Sequence, residues 1–314
     1  MTADEQYRRQ AAMLVRILPF IAEETCFALK GGTAINLFIR DMPRLSVDID
    51  LTYLPVEGRE ASLRGIDAAM RRIAKGISDG LPSSNVDEIP LHSEKTVNKL
   101  LVRDQGIQIK IEVTPVLRGC VYKPEMRTVS PRVEKVFGYA EVQMVSFADL
   151  FAGKIVAALD RQHPRDLFDV RGLLANEGID DGLRNAFIVY LLSHNRPMAE
   201  VLAPTRRDIS QEFERGFSGM TETPVKLEEL IDAREALISE IVGKMPPSHR
   251  KFLLSFKRGE PNWYLLDLSG IENLPAIRWK MENLNLLDHA KRRELLENLM
   301  AVLGIGGLNP VRSD

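Results

Sequence analysis

The chain has 314 residues, 45% hydrophobic and 27% charged, with 42 basic against 44 acidic side chains and a net charge near −2. That length holds one large or two ordinary domains, each with a proper core, and the composition is that of a soluble globular protein. The balance of charge excludes any overall pull toward nucleic acid, so a polyanion partner has to be met by a local basic patch. No export signal or membrane span is read: the most apolar N-terminal piece, residues 11–22, is broken by Arg16 and Pro19 and preceded by acidic residues. Two cysteines, Cys26 and Cys120, the first in an apolar run, fit a reduced, cytoplasmic protein better than a disulfide-bonded one.

In chain order, residues 4–24 read as a helix with Met13, Leu14, Ile17, Leu18 and Ile21 on one face, kinked or broken at Pro19. An apolar run, Cys26 to Leu29, then leads into Lys30-Gly31-Gly32-Thr33, and Thr33 to Arg40 reads as an amphipathic helix. A strand over 46–54 follows. Its alternation puts Val47, Ile49 and Leu51 on one face and Ser46, Asp48 and Asp50 on the other.

A second helix is predicted over 57–78, with a basic outer face of Arg59, Arg64, Arg71, Arg72 and Lys75. That face reads as ordinary solvated surface or as a track for a polyanion, and charge alone does not separate the two. Strands are predicted near 86–92, 95–103 and 107–114. The last alternates most clearly, with Gln108, Lys110 and Glu112 opposite Ile107, Ile109, Ile111 and Val113. Residues 115–139, rich in Pro and Gly, read as loops with a short extended piece, and a strand covers 140–145. From Ser146 helix follows helix, interrupted by loops at 195–205, 220–225, 244–248 and 258–276. The domain boundary is expected near 140–146.

The chemistry is carried by two clusters. Asp48 and Asp50 share a strand face roughly 6–7 Å apart along the chain. Their repulsion is relieved by a hard divalent cation, Mg²⁺ or alternatively Mn²⁺. The Gly31-Gly32 turn at the start of a helix offers bare backbone N–H groups suited to phosphate. Metal-binding carboxylates beside a phosphate cradle are equipment for chemistry on a nucleoside triphosphate. Glu112, on a polar strand face some sixty residues later, fits a third ligand or a proton acceptor. In the second cluster, Lys154 and Arg161 share one helical face, Pro164 starts the next helix, and Asp166 and Asp169 share a face of it. A lysine facing the triphosphate would neutralise charge on leaving pyrophosphate; the plainer reading is a salt-bridge network between helices.

The run Lys30-Gly31-Gly32-Thr33-Ala34, with Arg44-Leu-Ser46-Val-Asp48-Ile-Asp50-Leu51, resembles the AbiEii-type and MenT-type nucleotidyltransferase toxins. Lys154 followed by Arg165-Asp166-Leu-Phe-Asp169 is similar to their later lysine and aspartate motifs, and Leu274-Pro-Ala-Ile-Arg-Trp279-Lys280 to one of their last helices. The resemblance implies an α+β fold: a polymerase-β-like nucleotidyltransferase core over residues 1–143, a mixed sheet flanked by helices, and an all-α C-terminal domain over 144–314. It implies a toxin of a toxin–antitoxin or phage-defence module that adds nucleotides from an NTP to an RNA, with the tRNA 3′ end as acceptor and translation as the casualty. A cognate antitoxin is then a partner. The expected roles are catalytic for Asp48, Asp50, Glu112, Lys154 and Asp169, metal-binding for Asp48, Asp50 and Glu112, and nucleotide-binding for Lys30, Gly31, Gly32, Thr33, Ser46 and Asp166. A protein hydroxyl as acceptor and a non-catalytic RNA-binding scaffold are the alternatives.

The five histidines, His92, His163, His194, His249 and His289, have no ligand spacing, so zinc is not expected. Trp263, Tyr264 and Trp279 at helical spacing read as core side chains first and base-stacking platforms second. Basic clusters at 244–258 and 278–293 read as solvated faces first and phosphate contacts second.

Overall fold

Period-two patterning resolves into one mixed sheet in the computed structural model, which describes residues 3–91 and 94–305. Its strands are β1 (Phe27–Lys30), β2 (Asp48–Tyr53), β3 (Asn85–Pro90), β4 (Val97–Asp104), β5 (Ile107–Val113), β6 (Glu125–Thr128) and β7 (Glu141–Met144). They lie in the order β3-β4-β5-β2-β1-β7-β6. β2 sits at the centre, antiparallel to β1 and parallel to β5. The register sets Asp50 between Lys30 and Glu112, and Asp48 beside Lys110. Because side chains alternate, Ile49 and Leu51 are fully buried while Asp48 and Asp50 face the other way.

The helices are α1 (Ala3–Ala22), α2 (Gly31–Ala34, continuing as a π-helical turn over Ile35–Ile39), α3 (Arg59–Gly80), α4 (Pro131–Phe137), α5 (Phe147–Arg161), α6 (Pro164–Asn176), α7 (Asp181–Ser193), α8 (Met198–Leu202), α9 (Ser210–Gly216), α10 (Leu227–Ile238), α11 (Pro247–Arg258), α12 (Pro275–Asn285) and α13 (His289–Val302). α1 packs on the sheet through Leu14, Ile17, Leu18 and Ile21, and α3 through Ile66, Met70, Ile73 and Ile77. Each such Leu or Ile contributes about 1.5–3 kcal/mol relative to exposure. That burial carries α1 through Pro19 without the expected break. No strand follows β7 among the described residues, and the buried side chains of the later helices join those of the sheet in one contiguous core.

The differences from the sequence reading have local causes. Residues 131–137 form a helix where loops were expected, because Pro131 opens it and Gly138 closes it: the same two residue types that break a helix in its middle delimit it at its ends. β6 lies within the same stretch, an edge strand too short and too exposed to show alternation. α8 forms inside the expected 195–205 loop because Met198, Val201 and Leu202 are buried together. The helix after Lys30 begins two residues early, at the glycines, and widens into a π-turn, a form that clusters at functional sites. Ser46 precedes β2 rather than belonging to it. The segment leading to β2 is clasped by the helical half: Leu45 N–H donates to Met220 O at 2.9 Å, and Glu222 N–H to Pro43 O at 3.0 Å.

Candidate active site

Asp50 lies against a turn that admits no side chain. Gly31 has φ +76°, and a Cβ there would stand 2.4 Å from Asp50 Oδ2. At Gly32 a Cβ would meet Ser46 Oγ at 2.7 Å and Arg44 Nη2 at 2.8 Å. Gly31 therefore lets backbone and carboxylate approach where a side chain would part them, and Gly32 leaves room for Ser46 and Arg44. Gly31→Ala is expected to cost about 1–2 kcal/mol in backbone strain alone. It should also displace Asp50, so labelled-nucleotide transfer should fall much further than a denaturant midpoint does.

Burial pushes the Asp50 carboxyl above its usual pKa, against the charges of Lys30 and Lys110. Burial pushes the Lys30 ammonium down, against Asp50 and Glu112. Lys30 Nζ lies 3.5 Å from Thr114 Oγ1. Lys30, Gly31, Gly32, Asp50 and Lys154 line one cavity of about 520 Å³, together with Asp149 and Arg161.

Other expected site residues are brought near but do other work. The Thr33 hydroxyl, fully buried, donates to the backbone oxygen of Asp48 and lies 3.2 Å from Ser46 Oγ. It ties α2 to the start of β2 and does not line the cavity. Asn36 Nδ2 holds Gly32 O at 2.8 Å, and its Oδ1 accepts from Arg44 N–H at 3.3 Å. Glu112 neighbours Asp50 in register, but its carboxylate pairs with Lys99 at 3.3 Å and Lys110 at 3.1 Å. Burial raises its pKa, and those two lysines outweigh that and leave it below the usual value. Lys110 also reaches Asp48 at 3.8 Å. Among the described residues no three acidic, His or Cys side chains converge on one point.

The second cluster is an ionic chain, buried except at Arg161, whose side chain is exposed. Lys154 Nζ bonds Asp166 Oδ1 at 2.7 Å and reaches Asp169 Oδ2 at 3.0 Å. Arg161 takes both oxygens of Asp166, at 2.5 and 3.0 Å. Arg44 takes both of Asp169, at 2.7 and 2.5 Å. The side chains of Asp166 and Asp169 are 0% and 1% exposed, and Lys154 is 8% exposed. Burial opposes charge on both Lys154 and Asp166. Their partners win: Lys154 is held above its usual pKa and Asp166 well below. Three cations against two carboxylates leave positive charge beside Asp50.

This chain depends on how α5 ends. Gln162 adopts φ +51° and is 1% exposed, anchored to Thr205 O, Arg207 N–H and Arg234 Nε. Pro164 then starts α6, with His163 Nδ1 accepting from Arg165 N–H at 3.1 Å. Arg44 is the site residue that patterning alone did not single out. It stands 125 residues from Asp169 in an irregular segment, where no period marks it. Arg165, whose Nε is buried without an acceptor and whose guanidinium burial pushes down in pKa, is a second.

The charged surfaces mostly answer themselves. Along α3, Arg59 pairs with Glu94, Arg64 with Glu60, Arg71 with Asp67 and Glu88, Arg72 with Glu24 and Lys75 with Asp79. In the later clusters Arg250 bonds the carbonyls of Met245 and Val242, Arg292 that of Leu284 and Lys280 that of His194. Trp263, half-buried at the edge of the core, packs on Phe252 and Phe256, with centroids 5.3 and 6.2 Å away. Trp279 and Tyr264 are exposed, against expectation. Cys26 and Cys120 are free thiols, with burial pushing them to about 11 and about 12. His92 lies outside the described residues.

The family model for the nucleotidyl transferase AbiEii toxin of type IV toxin–antitoxin systems matches residues 12–283. The chain belongs to the AbiEii nucleotidyltransferase toxin family. Membership makes this AbiEii protein a nucleotidyltransferase and implies an NTP substrate and an antitoxin partner. Among solved structures it is similar to MenT4, a nucleotidyltransferase toxin from Mycobacterium tuberculosis H37Rv. Identity is 17% and the TM-score 0.55, over 94% of this chain and 92% of that one, a likeness of fold. Terminal uridylyl transferase 4 from Trypanosoma brucei with bound GTP aligns at 14% identity and TM-score 0.28, over 93% and 92% of the two chains, and carries no argument. No curated protein matches the chain. The AbiEii chain has an α+β architecture, and no helix among its described residues is long and apolar enough to cross a membrane.

Proposed function

We propose that this AbiEii protein transfers a nucleotidyl group from an NTP to the 3′ hydroxyl of an RNA, with tRNA as the first acceptor to test, and so blocks translation. The observation that carries the reading is Asp50 against the bare Gly31 turn, in a cavity that also holds Lys30, Lys154 and Arg161. A triphosphate needs such positive charge, and a scaffold has no need to hold paired carboxylates against their repulsion.

Asp48 and Asp50 suit Mg²⁺, which binds through one or two carboxylates and leaves its other positions to water and substrate phosphates; Mn²⁺ is the alternative. Bound there, the ion would polarise the α-phosphate and the attacking hydroxyl. In this reading Lys30 and the Gly31-Gly32 backbone hold the triphosphate. Lys154, kept charged by Asp166 and Asp169, neutralises the leaving pyrophosphate. A bond forms between the 3′ oxygen and the α-phosphorus, the α–β phosphoanhydride breaks, pyrophosphate leaves and the hydroxyl proton passes to solvent. Thr33 and Ser46 fix Asp48 from behind. In this reading Glu112, paired with Lys99 and Lys110, holds Lys110 beside Asp48 rather than serving as third ligand or proton acceptor. Residues 1–143 then carry the carboxylates and 144–314 the lysine and its aspartates.

Incubation with Mg²⁺, each α-labelled NTP in turn and total tRNA should put label into RNA. Label in protein would favour a protein acceptor, and no label with any NTP would leave a binding scaffold.

A further inference from the structure

A hollow of about 630 Å³ adjoins the catalytic cavity, sharing Val116 and Asn195 with it. One wall is the turn after β2, Val56 to Arg59, with the segment after β5 that carries Arg118; the other is the start of α12, Pro275 to Glu282. Ligand pockets of about 300–1,000 Å³ are ordinary, so a nucleotide fits.

Two side chains mark the hollow. Arg118 is 8% exposed, its Nε and Nη1 are buried without an acceptor, and it forms no hydrogen bond or ion pair among the described residues. A guanidinium taken out of water with no partner is costly. The cost is recovered only when an anion arrives. Arg59 and Arg278 line the same hollow, the first paired with Glu94 at 2.5 Å and the second with Asn273 Oδ1 at 2.7 Å. Glu57 and Glu282 line it too, and Glu57 accepts from Tyr53 OH at 2.9 Å. With Arg59 answered by Glu94, Arg118 is the guanidinium of the three left without an acceptor, and one such cation suits a single phosphate, not a triphosphate.

The second marker is Trp279, 50% exposed at the rim, while Trp263 is half-buried against two phenylalanines. Burying that indole face under a planar ring removes apolar surface from water, and any base supplies such a ring.

We propose that this hollow is the acceptor-strand subsite, which takes the nucleotide preceding the 3′ end of single-stranded RNA, its phosphate on Arg118 and its base on Trp279. The assignment rests on the RNA-acceptor reading above. Continuity through Val116 and Asn195 lets the terminal ribose reach the cavity of Asp50 while the preceding nucleotide stays here. Stacking tolerates every base, so the subsite selects single-strandedness more than sequence.

Trp263→Phe leaves Trp279 as the remaining tryptophan of two. With Asp48→Asn added to stop turnover, a single-stranded RNA decamer should quench its fluorescence saturably. Arg118→Gln should weaken that titration about tenfold and lower its salt slope by about one. If Arg118→Gln fails to fold, Trp279→Ala at the exposed position should raise the RNA KM about tenfold with the NTP KM unchanged, and Trp279→Phe should restore it. Quenching by MgATP alone would overturn the subsite in favour of a nucleotide site. RNA that is labelled by the wild type but neither quenches Trp279 nor responds to these variants would overturn the subsite and leave the acceptor reading standing. Quenching by RNA that is never labelled would support the subsite and remove RNA as the reaction's acceptor.

Discussion

Asp50→Asn is expected to lower kcat for nucleotidyl transfer by about a thousandfold or more, since a metal-phosphate clamp supplies several kcal/mol and each 1.36 kcal/mol is about tenfold. The variant should bind NTP without metal about as well as the wild type and unfold at no lower temperature, because burial already opposes the charge it removes. Asp48→Asn, at the more exposed of the two positions, should behave alike in transfer. Measured transfer within tenfold of wild type in both variants, at saturating Mg²⁺ and NTP, would remove the paired carboxylates from the mechanism. Growth of an expressing host offers the same comparison: the wild type should slow it and either variant should not.

The second large effect is on stability. Asp169→Ala strips both bonds from Arg44 and one from Lys154, leaving the buried Arg44 guanidinium without its counter-ion and Lys154 with Asp166 alone. Breaking a buried pair in this way costs about 3–5 kcal/mol, read as a shift in the urea midpoint at constant slope. Acid should act on the same chain through Asp166. Its folded pKa is depressed by Lys154 and Arg161 against the effect of burial, so its contribution is fully present above the ordinary aspartate value of about 3.9. It is lost as pH falls below that value toward the folded pKa. Urea midpoints should therefore hold steady from neutrality to about pH 4–5 and fall below it, and Asp166→Asn should flatten that limb.

Much of this was legible beforehand because it is local. The alternation in β2 and β5 sets which carboxylates share a face, and Gly-Gly after an apolar run marks where a backbone must come close. Lys154, Arg161, Asp166 and Asp169 follow from helical spacing on either side of Pro164. What could not be read depends on distant chain. Arg44 is legible only once Asp169 lies beside it. That Glu112 pairs through one oxygen with Lys99, on the neighbouring strand, and through the other with Lys110 is visible only once the strands are side by side. Trp279 and Trp263 occupy similar contexts in the sequence. Trp263 is half-buried because two phenylalanines of α11 meet it, and Trp279 is left facing a hollow.

The salt link from Arg44 to Asp169, together with the clasp of 43–45 on 220–222, has an evolutionary corollary. The segment that leads into β2 and the helices that carry Asp169 and Met220 are riveted together beside the candidate site, so neither can be exchanged for a homologous piece without matching rivets. Recombination within such genes should respect the pairing, and variation in acceptor choice should arise in the walls around the site rather than by trading the pieces.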